Sequence, residues 1–223
     1  MKRKLNFFML MVIGLLFTSS YLNGQNNTSE GFVKGTIEGT IHEEKYDESQ
    51  SRTTVTISGM PANLEAFLDL QKQIAVTPQG GVVMILVAIY MYQNDPDVGM
   101  QCLTAASTYP LTSKSEKKGS YEGYIMTNIS RLKTNLESYP RIPFVYYQGA
   151  SPENGYVPDG PPYVVKMYTN PYSYSKGSDG MRVKLFAETQ GADSNRPCTV
   201  KKVDDIYKVT EYSSFYLSYK PIK

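Results

Sequence analysis

The stretch GGVVMILVAIYMYQNDPDVG, residues 80–99, decides how the rest of the chain is read. From Gly81 to Tyr92 it carries no charge and no amide side chain, so its first half is apolar on every side. About 20 such residues are needed to span a bilayer as a helix, and this run is shorter. A short helix that is apolar all round belongs at the centre of a folded core, covered on several faces at once. Thr77 and Pro78 mark its start, a hydroxyl cap followed by a residue without the amide hydrogen that a first turn cannot use. Gln93 and Asn94 end it. Asp95 and Pro96 repeat the start signal for a following helix, with Asp97 adding negative charge near the positive end of its dipole. On that helix Val98, Cys102 and Ala105 fall on one face.

Outward from this pair, Leu64, Phe67, Leu68 and Ile74 recur close to helical spacing after Pro61, predicting an earlier helix. The stripe Ile125, Ile129, Leu132 and Leu136 predicts a fourth over about 120–138. Before the helices, TTVTISG (53–59) alternates as a short strand. After Tyr139 the texture becomes β-branched and aromatic in short runs: IPFVYYQ, PYVVKMYT, MRVKLFAET, PCTVKKV, IYKVTEY and FYLSYK. Pro-, Gly-, Asn- and Asp-containing connections separate them. The expected architecture is α+β, with N-terminal helices packed on a C-terminal antiparallel sheet of five or six strands.

The chain begins with Lys2, Arg3 and Lys4, continues apolar from Leu5 to Phe17 and turns polar at TSSYLNGQNN, the pattern of a signal peptide over residues 1–24. Removal after Gly24 would leave Gln25 first, and no cysteine near that point could take a lipid anchor. The expected location is periplasmic or secreted, with no stable membrane insertion after removal of the signal. The shortened chain would hold 20 Lys and Arg against 21 Asp and Glu. No basic excess remains to neutralise phosphates, so nucleic acid is not an expected partner. Residues 25–51 are polar and Gly-containing with scattered apolar residues, which predicts a mobile tether or a loosely held edge strand. Residues 52–223 then form a single domain.

Three pieces resemble an uncharacterised domain family of bacterial, often secreted, proteins: LEAFLDLQKQIAVTPQGGVVMILVAIYMYQNDPDVGMQCL, MRVKLFAETQGADSNRPCTVKK and DDIYKVTEYSSF. The pairing of T-P-Q-G with G-A-D-S-x-R-P carries the resemblance over about residues 60–220. It implies one folded unit and supplies no activity. An alternative architecture is a cone-shaped α+β fold similar to the nuclear transport factor family, whose sheet wraps a pocket.

Catalytic chemistry is thinly represented. His42 is the sole histidine, so a Ser-His-Asp or Cys-His arrangement has one candidate base, placed in the polar segment. HEE (42–44) matches no zinc spacing, no phosphate-cradling glycine motif occurs, and neither metal nor cofactor is expected. Paired carboxylates need only meet in space. Asp159, Asp179 and Asp193 on strand-joining loops are the candidates, each equally suited to tight turns. Asp193 and Arg196 form an expected local ion pair. The chain has 19 tyrosines and no tryptophan. Tyr156, Tyr172 and Tyr174 stand in Pro-, Gly- and Ser-rich loops, where rigid amphipathic rings suit a protein or glycan partner. Cys102 and Cys198, in an oxidising compartment, are either a bridge between the helical and β halves or two buried thiols. The reading that follows is a non-enzymatic exported binding or structural module. The alternative is a small-ligand pocket protein or a hydrolase using paired carboxylates.

Overall fold

The computed structural model describes residues 32–223; the expected signal peptide and its cleavage point lie outside the described residues. The chain runs β1 (Gly35–Ile41), β2 (Ser51–Ile57), α1 (Leu64–Ile74), α2 (Pro78–Asn94), α3 (Pro96–Ala106), β3 (Thr112–Lys114), β4 (Tyr124–Met126) and α4 (Ser130–Ser138). It then continues through β5 (Tyr163–Tyr168), β6 (Tyr174–Gly177), β7 (Gly180–Ala187), β8 (Arg196–Val203) and β9 (Ile206–Glu211). The α+β class is as expected, but two strands precede the helices. The main sheet has seven strands rather than five or six, in the order β1-β2-β5-β7-β8-β9, with β6 also paired to β7.

α2 is the residue 80–99 helix, and it lies at the centre. Thr77 Oγ1 accepts from the Gly80 amide (3.2 Å) and Pro78 opens the first turn. Asp95 Oδ1 accepts from the Asp97 and Val98 amides (3.0 and 3.1 Å) to start α3. From Val82 to Ile89 every side chain is buried, because α1 and α3 cover α2 on one side and β2, β7, β8 and β9 on the other. Cys102 and Ala105 of α3 are buried, with Val98 half-buried beside them. No helix among the described residues is long and apolar enough to cross a membrane.

Several local expectations give way. The first helix begins at Leu64, where the Asn63 side chain caps the Ala66 amide at 2.9 Å, rather than near Pro61. The helix expected over 120–138 is confined to Ser130–Ser138: Glu122, Gly123 and Asn128 take positive φ, which breaks helical continuity, and Tyr124–Met126 pairs with β3 instead. IPFVYYQ forms successive turns, and FYLSYK is preceded and entered by a 3-10 turn over Ser213–Tyr216. Their apolar rings pack against the core without joining a ladder. Of the two alternatives for the polar segment, the edge strand is the one present: β1 lies at the edge of the main sheet, hydrogen-bonded along β2 from Gly35↔Ile57 to Ile41↔Ser51. The ordered domain therefore starts before residue 52. Ladder hydrogen bonds and burial of Val33 and Ile41 offset the ordering entropy that the polar composition argued against.

Candidate functional site

Alternation along the strands gives the sheet two unlike faces. Val55, Val165, Val183, Leu185, Cys198, Val200 and Val209 point into the helical layer and are buried. The alternate residues form an open face. One row of it crosses β7 and β8 through Lys184↔Thr199, and the next through Arg182↔Lys201, continuing to Lys208 of β9. Over these rows lies a cleft of about 530 Å³, lined by Lys184, Arg182, Thr199 and Thr210 and by the rings of Tyr109 and Tyr172.

Two turns position those rings. Beyond β9, Ser107 makes a parallel bridge to Val209 and the Thr108 amide donates to Val209 O (3.0 Å), which carries Tyr109 to the rim. On the opposite side, Asn170 Oδ1 accepts from the Tyr172 amide (2.9 Å), and the Lys184 amide donates to Ser173 O (2.7 Å), locking the turn before β6 against β7. Tyr172 is 87% exposed and Tyr109 72%. In the turn between β6 and β7, Asp179 binds both Arg182 (2.7 Å) and Lys201 (2.6 Å), and the Lys201 ammonium holds its carboxyl below the ordinary carboxylate range. Lys184, exposed on the floor, lies outside that network.

The three loop tyrosines expected as contact residues separate. Tyr172 stands at the cleft. Tyr156 is fully buried, its hydroxyl donating to Lys220 O (2.8 Å) and its ring packed on Tyr219, because its positive φ turns the side chain under the C-terminal segment. Tyr174 is half-buried and donates to His42 O (2.9 Å), pairing in register with the inward Val183. Burial raises the phenol pKa of both. Tyr109 is the ring the sequence reading missed. The available signal was a Tyr-Pro pair just beyond a helix end, where a proline-held turn presents its neighbour.

Asp179 and Asp193 do not form a pair. Asp179 precedes β7 and Asp193 follows it, so the eight residues of that strand separate them by roughly 26 Å, against about 5 to 9.5 Å for a hydrolytic pair. Asp193 pairs with Lys220 (2.9 Å) rather than with Arg196. The Arg196 guanidinium instead donates to Ser214 O and Ser218 O (2.6 and 2.7 Å), tying down the C-terminal segment. Asp159 packs its carboxyl against Gly149, where φ is +85° and a Cβ would lie 2.3 Å from it. His42 Nδ1 accepts from the Glu44 and Lys45 amides (3.1 and 3.3 Å), and Glu43 pairs with Lys202 at 3.7 Å. Among the described residues no three His, Cys, Asp or Glu side chains are grouped to hold a metal.

Cys102 and Cys198 are both buried and unbridged. α2 packs against α3 on one side and β8 on the other, so it stands between the elements that carry them. Burial pushes the Cys102 thiol up to about 12 and the Cys198 thiol well above its ordinary value. Both behave as small apolar core residues.

No curated protein and no solved structure matches the chain. The sequence model of one family, described as Domain of unknown function (DUF6935), matches residues 59–223, and the chain belongs to that family.

Proposed function

From membership of a family that supplies no activity, and from the geometry of the open face, we propose that this is a non-enzymatic binding module whose ligand is a glycan held in the Tyr109/Tyr172 cleft. The observation that carries this reading is the pair of exposed phenol rings at opposite rims of a polar trough. Sugars present apolar C–H faces that pack on the electron-rich face of an aromatic ring, and hydroxyls that need donors and acceptors beside it. Lys184, Arg182, Thr199 and Glu211 supply those groups on the floor. The size favours a ligand over a protein partner. A volume of about 530 Å³ falls within the range of roughly 300 to 1,000 Å³ for ligand clefts, whereas a specific protein interface buries about 800 Å² on each side.

The module acts outside the cytoplasm, in the periplasm or secreted, a reading that rests on the basic, apolar and polar order of residues 1–24. The engagement of Asp179 by two cations, and its separation from Asp193, favour binding over paired-carboxylate hydrolysis.

A glycan array probed with the full chain and with a Tyr109→Ala/Tyr172→Ala double variant tests the proposal. Retention of a sugar by the wild type and its loss in the folded variant is expected. Equal binding by both would refute the site. Capture of a protein without any sugar would refute the ligand class.

A further inference from the structure

Resting on the glycan reading of the cleft, we infer that its ligand is a linear oligosaccharide lying across the strands, with Tyr172 and Tyr109 as separate stacking platforms for different sugar units. The two rings do not face each other over one sugar. Ser173 is bonded to Lys184 of β7, β7 pairs with β8, β8 with β9, and Thr108 is bonded to Val209 of β9. The backbones of Tyr172 and Tyr109, each adjacent to one of these outer residues, are therefore four strand spacings apart, about 19 Å at roughly 4.8 Å each, and both rings stand out into solvent. A single pyranose is no larger than a phenol ring and cannot touch both. A chain of several units can.

The floor between the platforms suits such a chain. Lys184 and Thr199 are directly opposed in register, and exposed Glu211 of β9 opposes Thr199, while Thr210 is buried beside it with its hydroxyl donating to Thr199 O (3.3 Å), so successive strands present hydrogen-bonding side chains along one line. The order across the trough is ring, ammonium, hydroxyl, carboxylate, ring. Asp179 holds Arg182 and Lys201 through its carboxylate oxygens, which fixes the neighbouring row as a wall and leaves the Lys184 ammonium free to reach the ligand.

Calorimetric titration of the full chain with cello-, chito- and oligogalacturonide series, from di- to hexasaccharide, reads this geometry. Affinity should climb with chain length and level off once both platforms are covered. Tyr109→Ala and Tyr172→Ala, each alone, should lower affinity for the longest bound sugar by about five- to tenfold, the worth of one aromatic contact. In each variant the gain from disaccharide to hexasaccharide should shrink. Both rings are exposed, so melting temperatures should stay close to wild type, and folding does not confound the comparison. Length-independent binding, or loss in one variant with no effect in the other, overturns the two-platform inference while leaving a glycan cleft standing. Failure of every sugar to bind removes both the inference and the reading beneath it.

Discussion

Gly99→Ala puts helix propensity and packing in direct opposition. Gly99 lies in the first half of α3, and propensity alone makes alanine better than glycine by about 1 kcal/mol in a helix interior. The structure reverses the sign. A Cβ at this position would lie 2.0 Å from Tyr92 Cα, 2.2 Å from Tyr92 N and 2.7 Å from Met91 C, all backbone atoms of α2. No rotamer change can relieve a backbone contact. Restoring an ordinary separation of about 3.5 Å requires moving the start of α3 by about 1.5 Å from α2. That displacement strains the Asp95 cap, whose carboxylate bonds two amides of α3, and loosens a core in which α2 is covered on both sides. Overpacking of this kind costs about 1 to 3 kcal/mol and occasionally more, and the rigidity of both partners places this case near 3. At about 2 to 4 °C per kcal/mol for a domain of this size, the melting temperature should fall by roughly 6 to 12 °C. Urea unfolding followed by circular dichroism should show a lower midpoint with an unchanged slope. A melting temperature equal to or above wild type would refute the close helix crossing as the reason for glycine here.

Other outcomes follow from the same layering. Leu86→Asp buries an unpaired charge at a fully covered position of α2, costing several kcal/mol against a typical total of about 5 to 15, so cooperative melting should be lost; an unchanged melt would contradict the central position of α2. Intact mass after denaturing alkylation should report two free thiols. Under native conditions both should alkylate slowly, because raised folded pKa values leave little thiolate; the stability tied to keeping these thiols neutral is present below about pH 9 and lost as pH rises through about 12 for Cys102. A mass lower by two hydrogens would show a bridge instead. Limited proteolysis of the full chain should leave β1 attached to the core; cleavage between Gly35 and Ile41 at the rate of an open chain would argue against its pairing with β2.

The parts of the fold that could be read in advance are those where a local signal and the packing demand coincide. Thr77-Pro78 and Asp95-Pro96 each combine a cap with a residue suited to a first turn, and the structure uses both as helix starts. The apolar run between them needs cover on all sides and receives it. PYVVKMYT, MRVKLFAET and PCTVKKV alternate apolar and polar residues because one face of the sheet is packed and the other open. Where signal and demand part, the reading fails. IPFVYYQ has strand composition, yet Tyr146 is committed to Phe215, with its hydroxyl donating to Phe215 O at 2.9 Å, and Ile142 and Val145 fill the core from turns. Burial of apolar rings is satisfied equally by a turn and by a ladder, so composition cannot choose between them. β1 is legible only as one of two alternatives, tether or edge strand: its side chains are polar, and what orders it is backbone pairing with β2, which leaves no trace in side-chain pattern.

The cleft was half legible for a related reason. Loop composition separates residues that can face solvent from those that cannot leave the core, and by that criterion Tyr156, Tyr172 and Tyr174 are equivalent. What distinguishes them is which way a turn points each ring. Tyr156 adopts positive φ and is covered by the Lys220 segment, 64 residues later in the chain. Tyr174 falls into register with the inward-facing Val183, while Tyr172, two residues earlier in the same loop, stays in the turn and outside the ladder. Tyr109 reaches the same surface from the far side of β9, through a bridge between residues about a hundred positions apart in the chain. A site assembled from one ring on a β5–β6 turn, another beyond α3, and a floor from β7, β8 and β9 has no contiguous motif. Only the sheet order brings the pieces into one line, and any chemistry it performs depends on that order being β6-β7-β8-β9, with residues 107–108 alongside.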